Sequence, residues 1–296
     1  MKKMRYLLAL FLGLVSCQAQ AEMGSRERCL LEALETASED ARAADIRAQC
    51  GEQTEAAQQQ STGVIEERLA AEARVEQSPW GITPHDVNYF LPVSYNNRQN
   101  SQLINELGLE PDIMEDTEAK FQISFKFPLA QNLFDDSTDL YFAYTNRSWW
   151  QVYASGISSP FRETNHMPEI FFRIKNNWDF WGLQGRFLNL GYMHQSNGRT
   201  GVLSRSWDRL FASLIMERGD LALGLRAWAV LGDPVENPDI TDYMGHGELR
   251  GAYLWGDNTL SAKLLNNLDF DDNKGGYELS WSRPLGGVVR LYAQYY

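Results

Sequence analysis

The sharpest chemical signal in this sequence is a serine, a histidine and an acidic residue that strand geometry would bring together. His194 and Ser196 lie on the same face of a predicted strand, and Asp208 lies on the next predicted strand. If the turn between the strands is centred on Gly201, Asp208 lies directly opposite His194, with Cβ atoms about 4.5–5.5 Å apart. An acid that orients an imidazole, which then deprotonates a hydroxyl, is the arrangement of a nucleophilic hydrolase.

The same stretch supplies a candidate oxyanion site and a substrate class. Gly198 lets backbone N–H groups approach a developing oxyanion. The other residues on the face of His194 are apolar or aromatic, namely Leu188, Leu190 and Tyr192. A nucleophile at the end of a lipid-facing row of side chains would meet lipid esters. Polar groups that face lipid are energetically costly, so a function would explain their presence. The alternative remains that this row has reached the headgroup layer, where polar residues are ordinary.

The elements that must position this cluster are antiparallel strands. From Trp80 onward apolar residues recur at every second position, and strict alternation predicts strands with one apolar face. Short turns that bear Gly, Asp or Asn separate several of the strands. Successive hairpins of this kind predict an all-β protein, an antiparallel up-and-down transmembrane β-barrel. Eleven segments fit, near residues 82–96, 120–129, 139–153, 168–178, 181–197, 205–218, 221–232, 245–256, 258–268, 275–284 and 287–296.

Composition narrows the classes of protein. Of the 296 residues 44% are apolar, which is too many for a disordered chain. No run of 18 apolar residues follows residue 20, which excludes a helical membrane protein. The net charge of −12 disfavours a nucleic-acid partner.

The less apolar face of the predicted strands carries Trp, Arg, Tyr and Gln side by side, as a packed barrel lumen does. A soluble periplasmic β protein remains an alternative.

Two segments precede the predicted barrel. Residues 1–21 have the pattern of a signal peptide, and either cleavage after Ala21 or lipidation of Cys17 fits. Residues 22–80 contain 13 acidic and 6 basic residues, and we expect an acidic, mostly helical or disordered, solvated periplasmic extension. Its Val64–Gln77 segment favours helix. Cys29 and Cys50 would form a disulfide after export, or remain free thiols. The barrel domain is expected at 81–296.

The sequence resembles the outer membrane phospholipases A, a bacterial, calcium-dependent family. Two runs are specific together, Ser158 to Asn165 and His194 to Arg199. Further matching runs are Asn88 to Pro92, Phe121 to Leu129, Ser148 to Gln151, Ser204 to Arg209 and Asn237 to Thr241. All of them lie within residues 82–296, so residues 22–80 are outside the resemblance.

The family implies a twelve-stranded barrel in the bacterial outer membrane, with a serine hydrolase site that faces the outer leaflet. Carried over to the matching positions, His194 is the base, Ser196 the nucleophile, and the N–H of Gly198 part of the oxyanion hole. The family usually has Asn as the third member of the triad, where this chain has Asp208. We expect activity to survive this change with an altered pH profile.

The resemblance also implies a calcium ion that activates the enzyme by joining a homodimer, the resting form being a monomer. Ser158 of one copy, with the Arg199 carbonyl and Ser204 of the other, would hold the Ca²⁺, and oxygen ligands suit this ion. Asn146 matches a polar dimer contact. The chain ends at Tyr296 after eleven predicted strands, which leads us to expect a truncated barrel or an N-terminal segment that fills the gap.

The sequence therefore predicts a calcium-dependent phospholipase with A1 and A2 activity, which hydrolyses acyl esters of membrane glycerophospholipids and lysophospholipids. The alternative is a non-catalytic outer membrane barrel, a channel or a structural protein. His166 and His246 have no second ligand at metal spacing, and both are expected to be surface residues.

Overall fold

The structure is a computed structural model, and it describes residues 64–76, 78, 81–98, 108, 113–134, 137–156, 158–232 and 235–296. The predicted signal peptide, the lipidation site at Cys17 and the Cys29–Cys50 pair lie outside the described residues. So does most of the predicted periplasmic extension. No helix among the described residues is long and apolar enough to cross a membrane.

One antiparallel sheet contains every strand of the described chain, and its strands follow one another in sequence order. Eleven strands form the wall, as the alternation pattern predicts, and the short β5 pairs with β6. The strands are β1 Tyr89–Tyr95, β2 Thr117–Leu133, β3 Thr138–Trp150, β4 Phe161–Lys175, β5 Asp179–Phe180, β6 Leu183–Ser196, β7 Ser206–Arg218, β8 Leu221–Leu231, β9 Gly247–Trp255, β10 Asn258–Asn266, β11 Gly275–Gly286 and β12 Val289–Tyr295. The helices are α1, Val64–Glu76, and α2, Ile240–Met244.

The first and last strands approach each other and nearly close the barrel. The ladder of paired strands ends at β1 and β12. Side chains connect these two strands: the Ser94 hydroxyl lies 2.9 Å from the Tyr296 hydroxyl, and the rings of Tyr89 and Tyr292 stack with centroids 4.9 Å apart. The Lys120 ammonium on β2 reaches across and donates to Gln294 at 2.6 Å.

Alternation along the strands separates an outer face from a packed interior. On β6 Phe187, Asn189 and Met193 are buried, whereas Leu190 and Tyr192 between them are exposed. The interior combines aromatic rings with charged groups that have partners; Arg162, for example, donates twice to the buried Glu118 carboxylate, at 2.8 and 2.6 Å. Such pairing offsets part of the cost of burying a charge. The apolar face is therefore the outside of the wall.

The two ends of the barrel differ in their connections. Short turns join β7 to β8 and β9 to β10, while longer segments join β3 to β4, β6 to β7 and β8 to β9. In outer membrane barrels the short turns face the periplasm and the long loops face outward. The His194 end of β6 therefore lies at the outer end of the barrel.

Helix α1 differs from the predicted solvated extension. The helical segment is where helix propensity places it, but it packs among inward-facing side chains of the barrel. Glu72 is buried, and its carboxylate lies 2.7 Å from the ammonium of Lys126, which is fully buried. The Ile65 N–H donates to the Glu217 carboxylate at 2.8 Å, and the Tyr141 hydroxyl donates to Glu76 at 3.0 Å.

The compact unit that contains the barrel begins at Thr62, ahead of the boundary expected at residue 81. The physical reason is charge balance. A lysine ammonium buried in the barrel needs a carboxylate nearby, and α1 supplies one.

Removing the Glu72 carboxylate should destabilise the barrel strongly. Burial by itself would raise the pKa of Glu72, but Arg68 and Lys126 hold it below its ordinary value. The ion pairs therefore contribute stability at neutral pH and lose it as the pH falls through that lowered pKa. We expect Glu72→Ala to cost about 3–5 kcal/mol, because it leaves Lys126 buried without a counter-charge. The temperature at which the folded barrel converts to its unfolded form on a denaturing gel measures this.

The matched control is Arg68→Ala. This variant removes a second cation that pairs with the Glu72 carboxylate. The Arg68 side chain is 53% exposed, so water can take its place. A smaller loss of stability is expected, and equal losses in both variants would contradict a special role for the buried pair.

Candidate active site

The β6–β7 hairpin has the register that the sequence predicts. His194 pairs with Asp208, and Ser196 pairs with Ser206. Met193, which precedes His194, and Trp207, which precedes Asp208, are buried in the lumen. Since side chains alternate along a strand, His194, Ser196 and Asp208 all project from the outer face of the wall.

A hydrogen bond joins the imidazole to the acid. His194 Nδ1 lies 2.8 Å from Asp208 Oδ1, and the two side chains are 35% and 39% exposed. A carboxylate can only accept, so Nδ1 carries the proton and Nε2 keeps its lone pair. Nε2 is then the basic atom of the site.

Ser196 lies two residues from His194 on the same face, one step nearer the outer end. No hydrogen bond joins Ser196 to His194 in the described part of the chain. Hydrogen bonds of a catalytic site often tighten only when substrate binds. The structure therefore brings His194 and Asp208 into contact and places Ser196 beside them.

Tyr192 is a further member of this cluster that sequence reasoning does not identify. Its hydroxyl donates to Asp208 Oδ1 at 2.5 Å, the same oxygen that accepts from His194. The signal was present in the sequence, because Tyr192 shares the face of His194 and lies diagonal to Asp208 across the hairpin. Two donors now fix the position of one carboxylate oxygen.

The loop between β6 and β7 is held by the buried Asn197, a residue that sequence reasoning also does not identify. Its side-chain oxygen accepts from the backbone N–H groups of Arg199 at 3.2 Å and Arg205 at 3.0 Å. Its amide nitrogen donates to the Leu203 carbonyl at 2.9 Å. Gly198, inside this loop, has φ = 68°, a conformation that costs glycine little. The loop thus presents the Gly198 backbone in a defined position.

The predicted calcium ligands lie in two loops at the outer end. Ser158 is exposed in the β3–β4 connection, and Arg199 and Ser204 belong to the β6–β7 loop. The Arg199 guanidinium donates to the carbonyls of Phe161 at 3.1 Å and Arg162 at 2.6 Å, which ties the β6–β7 loop to the start of β4. The described residues hold no cluster of three His, Cys, Asp or Glu side chains that could bind a metal. Hydroxyl and carbonyl oxygens are nevertheless ligands that suit calcium.

Asn146 lies on the outer face of β3, and it meets a residue that was expected to be an ordinary surface histidine. His166 on β4 pairs with Asn146 on one side and with Ser196 on the other. The Tyr144 hydroxyl lies 2.7 Å from His166 Nδ1, and the Asn146 amide nitrogen lies 3.3 Å from the same atom. His246, by contrast, is exposed, as predicted.

A family model described as Phospholipase A1 matches residues 65–296. This chain belongs to the phospholipase A1 family. The match begins at residue 65, so α1 is part of the phospholipase domain, in contrast to the expectation that residues 22–80 lie outside it. Membership makes the chain a phospholipase, and its barrel is a barrel of the bacterial outer membrane.

Curated relatives and solved structures agree with this assignment. Phospholipase A1 of Escherichia coli K12 is 39% identical over 219 residues, which cover 74% of each chain. A putative phospholipase A1 of Neisseria meningitidis is 36% identical and is covered over 60% of its length. A crystal structure of a Salmonella typhi outer membrane phospholipase dimer with bound calcium is 37% identical, with a TM-score of 0.71 and coverage of 76% of this chain and 86% of that one.

Proposed function

We propose that this phospholipase hydrolyses the sn-1 and sn-2 acyl esters of glycerophospholipids, and of lysophospholipids, with a Ser-His-Asp triad that faces the outer leaflet. The observation that carries the proposal is the His194–Asp208 hydrogen bond on the outer face of the wall, beside Ser196. The outer face of the wall would lie against the leaflet, where the ester bonds of a phospholipid can reach this surface.

The arrangement of these side chains supports the following steps. His194 Nε2 takes the proton of the Ser196 hydroxyl as the oxygen attacks the ester carbonyl carbon. Asp208, fixed by Tyr192, stabilises the imidazolium that forms. The backbone N–H of Gly198 donates to the oxyanion. The tetrahedral intermediate collapses, the glycerol oxygen leaves with the proton from His194, and water then hydrolyses the acyl-serine by the same route.

We infer that the active form is a dimer joined by calcium, and the resting form a monomer. Ser158 of one copy, with the Arg199 carbonyl and the Ser204 hydroxyl of the other, would hold Ca²⁺, and these oxygen donors fit it. When bound, the ion supplies positive charge close to the oxyanion. The Salmonella typhi relative, solved as a dimer with bound calcium, supports this proposal. Asn146 would add a polar contact between the outer faces of the two copies.

Acyl release should depend on calcium. With phospholipid in mixed micelles, we expect at least a tenfold drop in rate when a chelator replaces calcium. Ser158→Ala and Ser204→Ala should raise the calcium concentration needed for half-maximal rate. Chemical cross-linking of the same samples should show fewer dimers.

Thr200→Ala is the matched control, because it removes an exposed hydroxyl from the same loop without touching a proposed ligand. No acyl release under any condition would favour the alternative, a non-catalytic barrel. A calcium response that is identical in all three variants would remove Ser158 and Ser204 from the metal site.

A further inference from the structure

We propose that His166 is a further catalytic residue, whose Nε2–H donates a hydrogen bond to the ester carbonyl oxygen as Ser196 attacks. This inference rests on the proposed function, and it adds a side-chain donor to the oxyanion site. It corrects the expectation that His166 is an ordinary surface residue. Three independent observations support it: strand register, the hydrogen bonds of the imidazole, and its position beside Gly198.

The register places His166 beside the nucleophile. His166 pairs with Ser196 across the β4–β6 ladder, and side chains that pair in this way have Cβ atoms about 4.5–5.5 Å apart. On its other side Ser196 pairs with Ser206 of β7. The nucleophile thus has the base two residues away on its own strand, and a second imidazole on the neighbouring strand.

The hydrogen bonds of His166 determine which ring nitrogen carries the proton. The Asn146 amide nitrogen, 3.3 Å from Nδ1, can only donate, and its carbonyl oxygen is engaged by the Ser148 hydroxyl at 3.0 Å. Nδ1 must therefore accept, and the Tyr144 hydroxyl donates to it at 2.7 Å. In the neutral ring the proton is then on Nε2.

The Nε2 edge of the ring faces the oxyanion site. A Cβ atom built on Gly198 would lie 3.6 Å from both Cδ2 and Nε2 of His166. The Nε2 edge of the ring therefore lies next to the space beside Gly198, whose backbone presents the proposed oxyanion donor. In the described residues Nε2 of His166 has no hydrogen-bond partner, so this N–H is available to a substrate oxygen.

The level of His166 along the barrel favours the ester oxygen over a lipid phosphate. His166 shares its row with Ser196, so its donor lies beside the bond that is attacked. A phosphate of the same lipid would lie nearer the loops. The phosphate oxygen is anionic throughout and the ester carbonyl oxygen becomes anionic as Ser196 attacks, and the experiment below distinguishes the two.

The test compares kcat and KM on two substrates, a phospholipid and an uncharged monoacylglycerol, in calcium-containing micelles. His166→Phe keeps an aromatic ring but removes the donor, and we expect kcat to fall about 100-fold on both substrates with little change in KM. His166→Gln should recover most of the rate, because its amide nitrogen reaches about the position of Nε2. His166→Asn, polar but too short, should remain as slow as His166→Phe.

Ser206→Ala is the control, since it removes a hydroxyl from the same row on the far side of Ser196, away from His166, and a kcat close to that of the wild type is expected. A wild-type kcat in His166→Phe would overturn the proposal, and so would equal rates in the Gln and Asn variants. A raised KM on the phospholipid alone would assign His166 to the phosphate instead. Hydrolysis that persists in Ser196→Ala would contradict the proposed function itself, whatever His166 does.

Discussion

Ser196→Ala is expected to reduce calcium-dependent acyl release by about 10³-fold or more, because no other group takes over covalent catalysis when a triad serine is lost. The variant should fold, since Ser196 is half-buried at the outer face and its replacement by alanine creates no unpaired buried charge. Initial rates of fatty acid release from micellar phospholipid, with calcium and with chelator, measure the effect.

Ser206→Ala provides the matched control for this experiment. Ser206 lies directly opposite Ser196 on β7, on the same outer face and in the same row. A general effect of removing a hydroxyl from this surface would appear in both variants. A calcium-dependent rate that survives in Ser196→Ala would remove Ser196 as the nucleophile and leave the barrel without an assigned chemistry.

The two variants of Asp208 should differ sharply in their rates of acyl release. Asp208→Ala removes the acceptor for His194 Nδ1, so the imidazole loses its orientation and preferred tautomer; we expect a loss of about 10²–10⁴-fold. Asp208→Asn keeps a side-chain oxygen, and the Tyr192 hydroxyl, which donates to Oδ1, selects the amide rotamer that offers this oxygen to His194. We expect this variant to stay within about tenfold of wild type.

The pH dependence of kcat/KM gives a second readout for Asp208. A neutral amide cannot balance the charge of the protonated imidazole, so the profile of Asp208→Asn should differ from that of the wild type. If the wild type and both variants had equal rates and equal profiles, Asp208 would have no place in the mechanism.

Strand register was predictable because period-two alternation is a local property of the chain. Once β6 and β7 are assigned and the turn is centred on Gly201, the partner of His194 follows by counting. The start of β4 was not predictable in this way. Its first half, from Phe161 to Met167, does not alternate, and only pairing with β3 makes it a strand. His166 lies in that half, which explains why its position beside Ser196 could not be read from the sequence.

The location of α1 could not be predicted from the sequence for a different reason. Helix propensity predicts that Val64–Gln77 is helical, but propensity does not say what a helix packs against. Two of the partners of Glu72, Lys126 and Arg173, lie far along the chain on different strands. Asn197 is a similar case, since its role depends on three backbone groups that meet only after the loop has folded.

The packed interior also bears on the alternative of a channel. Helix α1, aromatic rings and ion pairs fill part of the lumen, and a cavity of about 340 Å³ remains between them. Asp86 illustrates this: burial would raise its pKa, but the Arg250 guanidinium, 2.7 Å away, holds it well below its usual range.

The placement of the proposed triad on the outside of the wall has a kinetic consequence. His194 and Asp208 are 35% and 39% exposed on the outer face, so the leaflet itself would form the other half of the cleft. The turnover rate should then follow the two-dimensional density of phospholipid at the interface. Adding inert detergent at a constant total lipid concentration dilutes that density, and the enzyme should slow accordingly, as an interfacial catalyst does.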